Sequence, residues 1–246
     1  MIVEDAVYLD PNRKLAQSHR LAVNLIQKKF TPEMDIAVLD IGVGSGAVAK
    51  GLREIFPKLM IDGVDKSDVY LDTSKAYYNN VYYVPIEALE IERQYDVILL
   101  LDVLEHLEDP WQALLSLKRK YLKKSGFVVI SIPNIAHWTI RLKLLRGYFK
   151  YARWGILDKT HLRFFTLGTY RELLQSSELH LVDMDYSYSM GISEYKEFPF
   201  SLIPQEFRNK ILRKLVNWKP SIFAIQFISI SHPDVTASEA ISEAEN

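Results

Sequence analysis

The chain has 246 residues and no cysteine, which excludes disulfides, thiolate nucleophiles and cysteine-bound zinc. It is 48% hydrophobic and 25% charged, the profile of a chain that closes a full core in water. A formal net charge of -1 supplies no overall basic field, so no nucleic-acid partner is expected.

The first residues, Met1-Ile-Val-Glu-Asp5, carry neither a basic segment nor a long apolar run and do not read as a signal peptide. No apolar run approaches the roughly 18 residues that a membrane span needs. The expectation is a cytoplasmic enzyme of one domain over residues 1–232. From Pro233 the tail is Ser, Ala and Glu with little to bury, and residues 233–246 are expected to be disordered. No internal repeat is visible.

Residues 12–30 carry Leu15, His19, Ala22, Val23 and Ile26 at helical spacing, with Asn12 as a candidate cap. That helix would pack beside the sheet and form a wall of the site. Residues 36–41 read as the first strand, and 48–56 as the helix that follows it. Between them three glycines alternate at Gly42, Gly44 and Gly46. A buried strand, a glycine turn and a helix N-terminus together make a place to hold a nucleotide-like ligand, because the backbone can take positive φ and lie against it.

Two ligand classes use such a turn. Gly42-x-Gly44-x-x-Ala47 fits a permissive dinucleotide fingerprint, with Asp65 about 20 residues downstream. Asp40-x-Gly42-x-Gly44-x-Gly46 instead resembles motif I of the class I S-adenosylmethionine (SAM) methyltransferases. A carboxylate at Asp40 would repel a pyrophosphate but suits the ammonium of a methionine moiety, which favours the second reading.

Further along, 60–64 is a strand ending at Asp65, whose two oxygens are shaped to accept both hydroxyls of a ribose. Strands follow at 81–84 and 94–101, the latter a continuous apolar run as expected when both sheet faces are covered. A helix over 111–122 starts at Asp109-Pro110, and a fifth strand covers 126–132. Strands alternating with helices across 36–133 indicate a parallel sheet wound on both faces. Residues 134–165 show no clean period. A helix over 166–176 with Thr166 as cap comes next, then strands at 179–188 and 221–231, with a helix over 205–218 in an insertion spanning 199–219.

The segment Leu101-Asp-Val-Leu-Glu-His-Leu-Glu-Asp-Pro110 strengthens the likeness. With the glycine turn and Asp65 it resembles, in order and spacing across residues 36–133, class I SAM methyltransferases of the ubiquinone-biosynthesis and glycan-modifying type. The resemblance implies an α/β fold with a seven-stranded Rossmann-like sheet, five strands parallel and the last pair an antiparallel hairpin. It implies SAM as cofactor, with Asp40, Gly42, Gly44 and Gly46 facing the methionine portion, Asp65 the ribose and Lys66 the adenine edge. Ile86 would be an apolar or backbone contact to the adenine, and Leu101 and Asp102 would close over the sulfonium.

A second resemblance rests on Ser131-Ile-Pro-Asn-Ile-Ala-His-Trp138, Arg141 to Leu145, and Asp158-Lys-Thr-His-Leu-Arg-Phe-Phe-Thr166. These are similar to bacterial methyltransferases encoded with surface-polysaccharide enzymes, and to methyltransferase-like proteins of methionine biosynthesis. They assign the acceptor side to a lid over 134–165, with Asn134, Trp138, Arg141 and Arg163 as substrate-binding residues. Methylating a hydroxyl requires a proton to be removed as attack proceeds, and the candidates are His161, Asp158, His106 and His137. His161 leads, because Asp158-x-x-His161-x-Arg163 clusters an acid, a base and a cation.

No metal is assigned, although Asp102-x-x-Glu105-His106 leaves a divalent ion open. Basic residues over 141–153 and 205–218 would clamp a phosphate or rest on an anionic membrane surface. The sequence thus points to O-methylation of a saccharide, as a nucleotide sugar or a lipid-linked or surface glycan. A weakly catalytic or non-catalytic SAM-binding partner and an NAD(P)-dependent oxidoreductase are the alternatives. Oligomeric state is not legible.

Overall fold

The computed structural model describes residues 15–68, 74–188 and 202–234. Its strands are β1 (Ala37–Ile41), β2 (Met60–Asp65), β3 (Asn80–Tyr83), β4 (Tyr95–Leu101), β5 (Leu122–Pro133), β6 (Leu179–Ser187) and β7 (Gln226–Pro233). They form one seven-stranded sheet in the order β3-β2-β1-β4-β5-β7-β6. Strands β1 to β5 pair parallel, while β7 pairs antiparallel with both β5 and β6. The expected parallel sheet with a terminal antiparallel pair is present, with β7 inserted between its two neighbours.

The helices are α1 (Gln17–Gln27), α2 (Ala47–Ile55), α3 (Pro110–Tyr121), α4 (Trp138–Leu145), α5 (Leu167–Ser176), α6 (Gln205–Trp218) and the single turn α7 (Pro220–Phe223). Side chains alternate across each strand, so the apolar run of β4 feeds two cores. Ile98 and Leu100 join Leu39, Leu114, Leu117 and Leu173 on the face covered by α3 and α5. Val97 and Leu99 join Val38, Val23, Ile26 and Leu52 on the face covered by α1 and α2.

Two of the expected helix caps are present. Asp109 accepts from Gln112 N at 3.0 Å with Pro110 in the first turn of α3, and Thr166 forms a reciprocal capping box with Thr169 on α5. The first helix is shorter than expected: it starts at Gln17 with Ala16, not Asn12, in the cap position and no side-chain cap bond. Asn12 itself and 235–246 of the expected tail lie outside the described residues.

The fifth strand starts at Leu122 rather than 126, and two other elements differ from expectation. The last strand begins at Gln226 rather than 221, because Pro220 fixes φ in the first position of α7 and turns the chain helically before it can extend. Residues 138–145 form α4 where no period is readable. The reason is that Thr139 and Ile140 are buried while Leu142, Leu144 and Leu145 face out, which leaves apolar residues on every side of the helix.

Candidate active site

The strand order reverses between β1 and β4, so a crevice opens at their carboxyl ends. The glycine turn lies in that crevice. Gly42 has φ of 81°, and a Cβ there would stand 2.8 Å from Val103 Cγ2, so glycine is required by both conformation and space. Gly44 has φ of 47° with nothing within 4 Å of a built Cβ. Its open side is where a ligand can lie on the backbone, and Asp65 flanks it. Asp65 Oδ2 accepts from Gly44 N at 3.2 Å and Oδ1 from Ser67 N at 3.0 Å, so β2 presents this carboxylate directly beside the turn. Lys66 next to it is exposed. Ile86 is half-buried at the start of a 3₁₀ turn past β3, packed on the core.

Asp40, fourth in β1, is buried and accepts a hydrogen bond from Tyr78 Oη at 2.6 Å. Burial raises its pKa to about 7, against the lowering effects of that hydrogen bond and of His19. A buried carboxyl on the verge of ionisation, next to an open glycine turn, is suited to a cationic ligand group.

Asp102 follows β4 with φ of 58°, a left-handed conformation rare for a non-glycine residue. The surroundings hold it there. Its N–H faces Ser131 Oγ at 3.0 Å, and its Oδ1 accepts from Ser131 Oγ at 2.8 Å and from the Gln226 side-chain amide. His19 Nε2 of α1 stands 3.3 Å from Oδ2. Burial opposes ionisation of Asp102, but the His19, Ser131 and Gln226 contacts outweigh it and keep the carboxyl below its ordinary range. The sequence does not mark His19, Tyr78, Ser131 and Gln226 as site residues. Only His19 carried a signal, a polar ring within the apolar stripe of the first helix.

The segment after β4 meets a strap formed by residues 158–165. Leu162 N and Arg163 N both donate to Glu105 O, at 2.8 and 3.0 Å, and the Arg163 guanidinium donates to Glu108 O. These bonds bring two distant motifs together and place His106 and His161 with ring centroids 4.8 Å apart. Glu105 lies beneath them. Both its carboxyl oxygens are buried without a hydrogen-bond partner, and Oε1 is 4.0 Å from His161 Nε2. Burial, then Asp102 and Asp158, push the Glu105 carboxyl well up and favour its neutral form. His161 Nδ1 is 3.1 Å from Ile156 O, which fixes the tautomer with a lone pair on Nε2. Burial lowers its pKa, so the ring is neutral at pH 7.

Several expected roles are corrected here. Asp158 does not orient His161; its Oδ1 accepts from Thr160 N and Oγ1, an Asx turn that shapes the strap. His137 is fully buried with Nδ1 2.9 Å from Thr139 Oγ1, which removes it from any acceptor. Asn134 is equally buried, donating to Ala224 O and Ser221 O and accepting from Ala136 N, a structural knot rather than a substrate contact. Trp138 packs towards α6, and exposed Arg141 donates to Ala136 O at 2.6 Å. Asp102, the candidate metal ligand, is committed to Ser131, Gln226 and His19.

Among the described residues, Glu105, His106 and His161 do offer three ligand atoms within 4.8 Å of one another. The set fits a divalent cation. Two imidazoles have their Nδ1 atoms turned to carbonyl oxygens, Thr160 O and Ile156 O, so each presents Nε2, and the carboxylate has no other partner.

A seven-stranded sheet with β7 reversed, an open glycine turn and acids closing β1, β2 and β4 define a class I SAM-dependent methyltransferase. The chain belongs to the methyltransferase domain family, whose model matches residues 13–183. S-adenosyl-L-methionine is its cofactor. The chain is 27% identical over 186 residues to a ubiquinone biosynthesis O-methyltransferase of Rickettsia bellii, covering 73% of this chain and 72% of the relative. It is 29% identical over 128 residues to the malonyl-[acyl-carrier protein] O-methyltransferase of Bacillus anthracis, covering 50% and 46%. Among solved structures, an S-adenosylmethionine-dependent methyltransferase of Clostridium acetobutylicum aligns with TM-score 0.59 at 14% identity, covering 94% of this chain and 98% of that one. The N-methyltransferase NodS of Bradyrhizobium japonicum, solved with S-adenosyl-L-homocysteine (SAH), aligns with TM-score 0.50 at 18% identity, covering 70% and 78%.

Proposed function

We propose that the chain transfers the methyl group of SAM to a hydroxyl oxygen of a saccharide, carried as a nucleotide sugar or on a lipid. The single observation that carries this reading is the cluster of Glu105, His106 and His161 under the strap. A hydroxyl attacks a sulfonium carbon poorly unless its proton leaves, and His161 Nε2 is a neutral imidazole nitrogen with its lone pair available. The 4.0 Å gap between His161 Nε2 and Glu105 Oε1 is too long for a hydrogen bond and leaves both atoms for a third polar group. An acceptor hydroxyl there would give its proton to His161. The curated relatives named as O-methyltransferases support oxygen over nitrogen. Phe164 beside His161, with Tyr151 next to it, suits a sugar face, and the exposed Arg146 and Lys150 suit a phosphate.

The same cluster favours one second reading, a phenolic acceptor that approaches a divalent cation. Glu105, His106 and His161 would hold the ion, which would supply Lewis acidity to the acceptor oxygen.

Transfer of labelled methyl from SAM to a panel of nucleotide sugars and lipid-linked sugars, beside a catechol, separates these readings. The proposal expects label on a sugar without added metal, and loss of transfer in His161→Ala with SAH affinity intact. Label confined to the catechol, and only with a divalent ion, would replace it with the second reading.

A further inference from the structure

The large apolar side chains left exposed are not scattered. Of fourteen among the described residues, seven lie between Leu142 and Trp154 and four between Leu202 and Trp218. The first segment is α4 and the loop after it, with Leu145 84% exposed and Tyr148, Phe149, Tyr151 and Trp154 each near half. In the second, α6 buries Leu212 and Val216 but leaves Phe207, Ile211 and Trp218 on its opposite stripe. The two segments adjoin. Ile140 of α4 and Leu212 of α6 share a small core, and Trp138 lines an apolar cavity of about 230 Å³ together with Ile211, Leu215 and Phe223.

Charge decides what this surface meets. Between residues 141 and 157 stand Arg141, Lys143, Arg146, Lys150 and Arg153 with no acid at all. Over 205–219 stand Arg208, Lys210, Arg213, Lys214 and Lys219 against Glu206. A chain of net charge -1 has therefore gathered ten cations and one acid around its exposed leucines and aromatics.

We propose that α4, the loop after it and α6 form one face that docks on an anionic lipid bilayer. Leucines and aromatic rings enter the headgroup boundary, and the lysines and arginines reach phosphates from its edge. A second copy is a poor occupant, since two-fold pairing would oppose like charges. A protein partner is a poor one too, because the buried centre of a protein interface is depleted in lysine. Nucleic acid leaves the leucines unexplained. Docking would bring a lipid-borne acceptor to the strap that carries His161, but the inference stands independently of the acceptor assignment.

The test is co-sedimentation of the full chain with vesicles of phosphatidylcholine alone, or with about a third phosphatidylglycerol. SAH binding is followed in parallel to report folding. Binding to the anionic vesicles only is expected, with a blue shift of tryptophan emission from Trp154 and Trp218. Arg146→Glu with Lys150→Glu should weaken it at least about twentyfold, since each surface cation is worth about fivefold. Leu144→Ser with Leu145→Ser should weaken it as well, while SAH affinity is unchanged in both variants. Equal binding to neutral vesicles, or none to either, overturns the proposal. So does self-association in sedimentation velocity that Leu144→Ser with Leu145→Ser abolishes. Should a variant lose SAH affinity, the wild-type emission shift on anionic vesicles decides alone.

Discussion

Replacing Asp40 by asparagine should make the chain more stable and bind its cofactor less well, and the first effect should depend on pH. Asp40 is buried with a pKa raised from 3.8 to about 7. Between those values the folded chain holds a proton that the unfolded chain has lost, so stability falls as pH rises through this window and is level above it. A shift of about three units corresponds to about 4 kcal/mol at most, at about 1.4 kcal/mol per unit, and relaxation around the charge brings it towards about 2. Asparagine carries no such penalty and still accepts the hydrogen of Tyr78 Oη. At pH 8 Asp40→Asn should melt about 4–8 °C above wild type, given about 2 °C per kcal/mol for a chain of this size. At pH 5, only about a third of the way into that window, the gap should shrink to about 1–3 °C, and it should close below about pH 4, where both states are protonated. SAH affinity should drop about tenfold or more, because the ammonium loses its counter-charge. Wild-type binding near pH 6 should release a proton, seen by calorimetry in two buffers of different ionisation enthalpy. Equal destabilisation at both pH values would refute the reasoning and make Asp40 a structural acceptor for Tyr78.

Asn134→Ala should cost about 2–3 kcal/mol, since it leaves the buried Ala224 carbonyl, and the half-buried Ser221 carbonyl and Ala136 N–H, without this partner, and a denaturant melt should register it without any change specific to SAH. Glu105→Gln should leave thermal stability within about 1 kcal/mol, because burial already holds that carboxyl neutral. It should nevertheless abolish any cobalt(II) or zinc binding followed spectroscopically, whereas retained metal binding would remove Glu105 from the ligand set.

The sheet was legible because its strands and turns follow from local signals. Apolar runs, the glycine turn and the Asp109-Pro110 and Thr166 caps each act over a few residues, and the resemblance supplied their arrangement. The acceptor side was less legible. The pairing of His106 with His161 depends on backbone hydrogen bonds from Leu162 and Arg163 to Glu105, more than 50 residues away in sequence, and neither histidine announces its partner. Asn134 and His137 look like functional residues in sequence because polar side chains after a strand suggest a site. Only burial shows that they satisfy backbone and Thr139 instead. The same limit hid His19, whose link to Asp102 joins the first helix to the end of the fourth strand. In α4 the apolar pattern failed to show a period because part of it faces solvent, and that failure marks the surface proposed for lipid.

The central claim is that the crevice between β1 and β4 binds SAM, with Asp65 beside the glycine turn on the ribose. Calorimetric titration with SAM, SAH and NAD, on wild type and Asp65→Ala, tests it most directly. The account predicts micromolar SAM and SAH binding, weakened about tenfold or more by Asp65→Ala, and no binding of NAD. Absence of SAM and SAH binding to the wild-type chain would contradict it. NAD binding in their place would show that the glycine turn holds a dinucleotide.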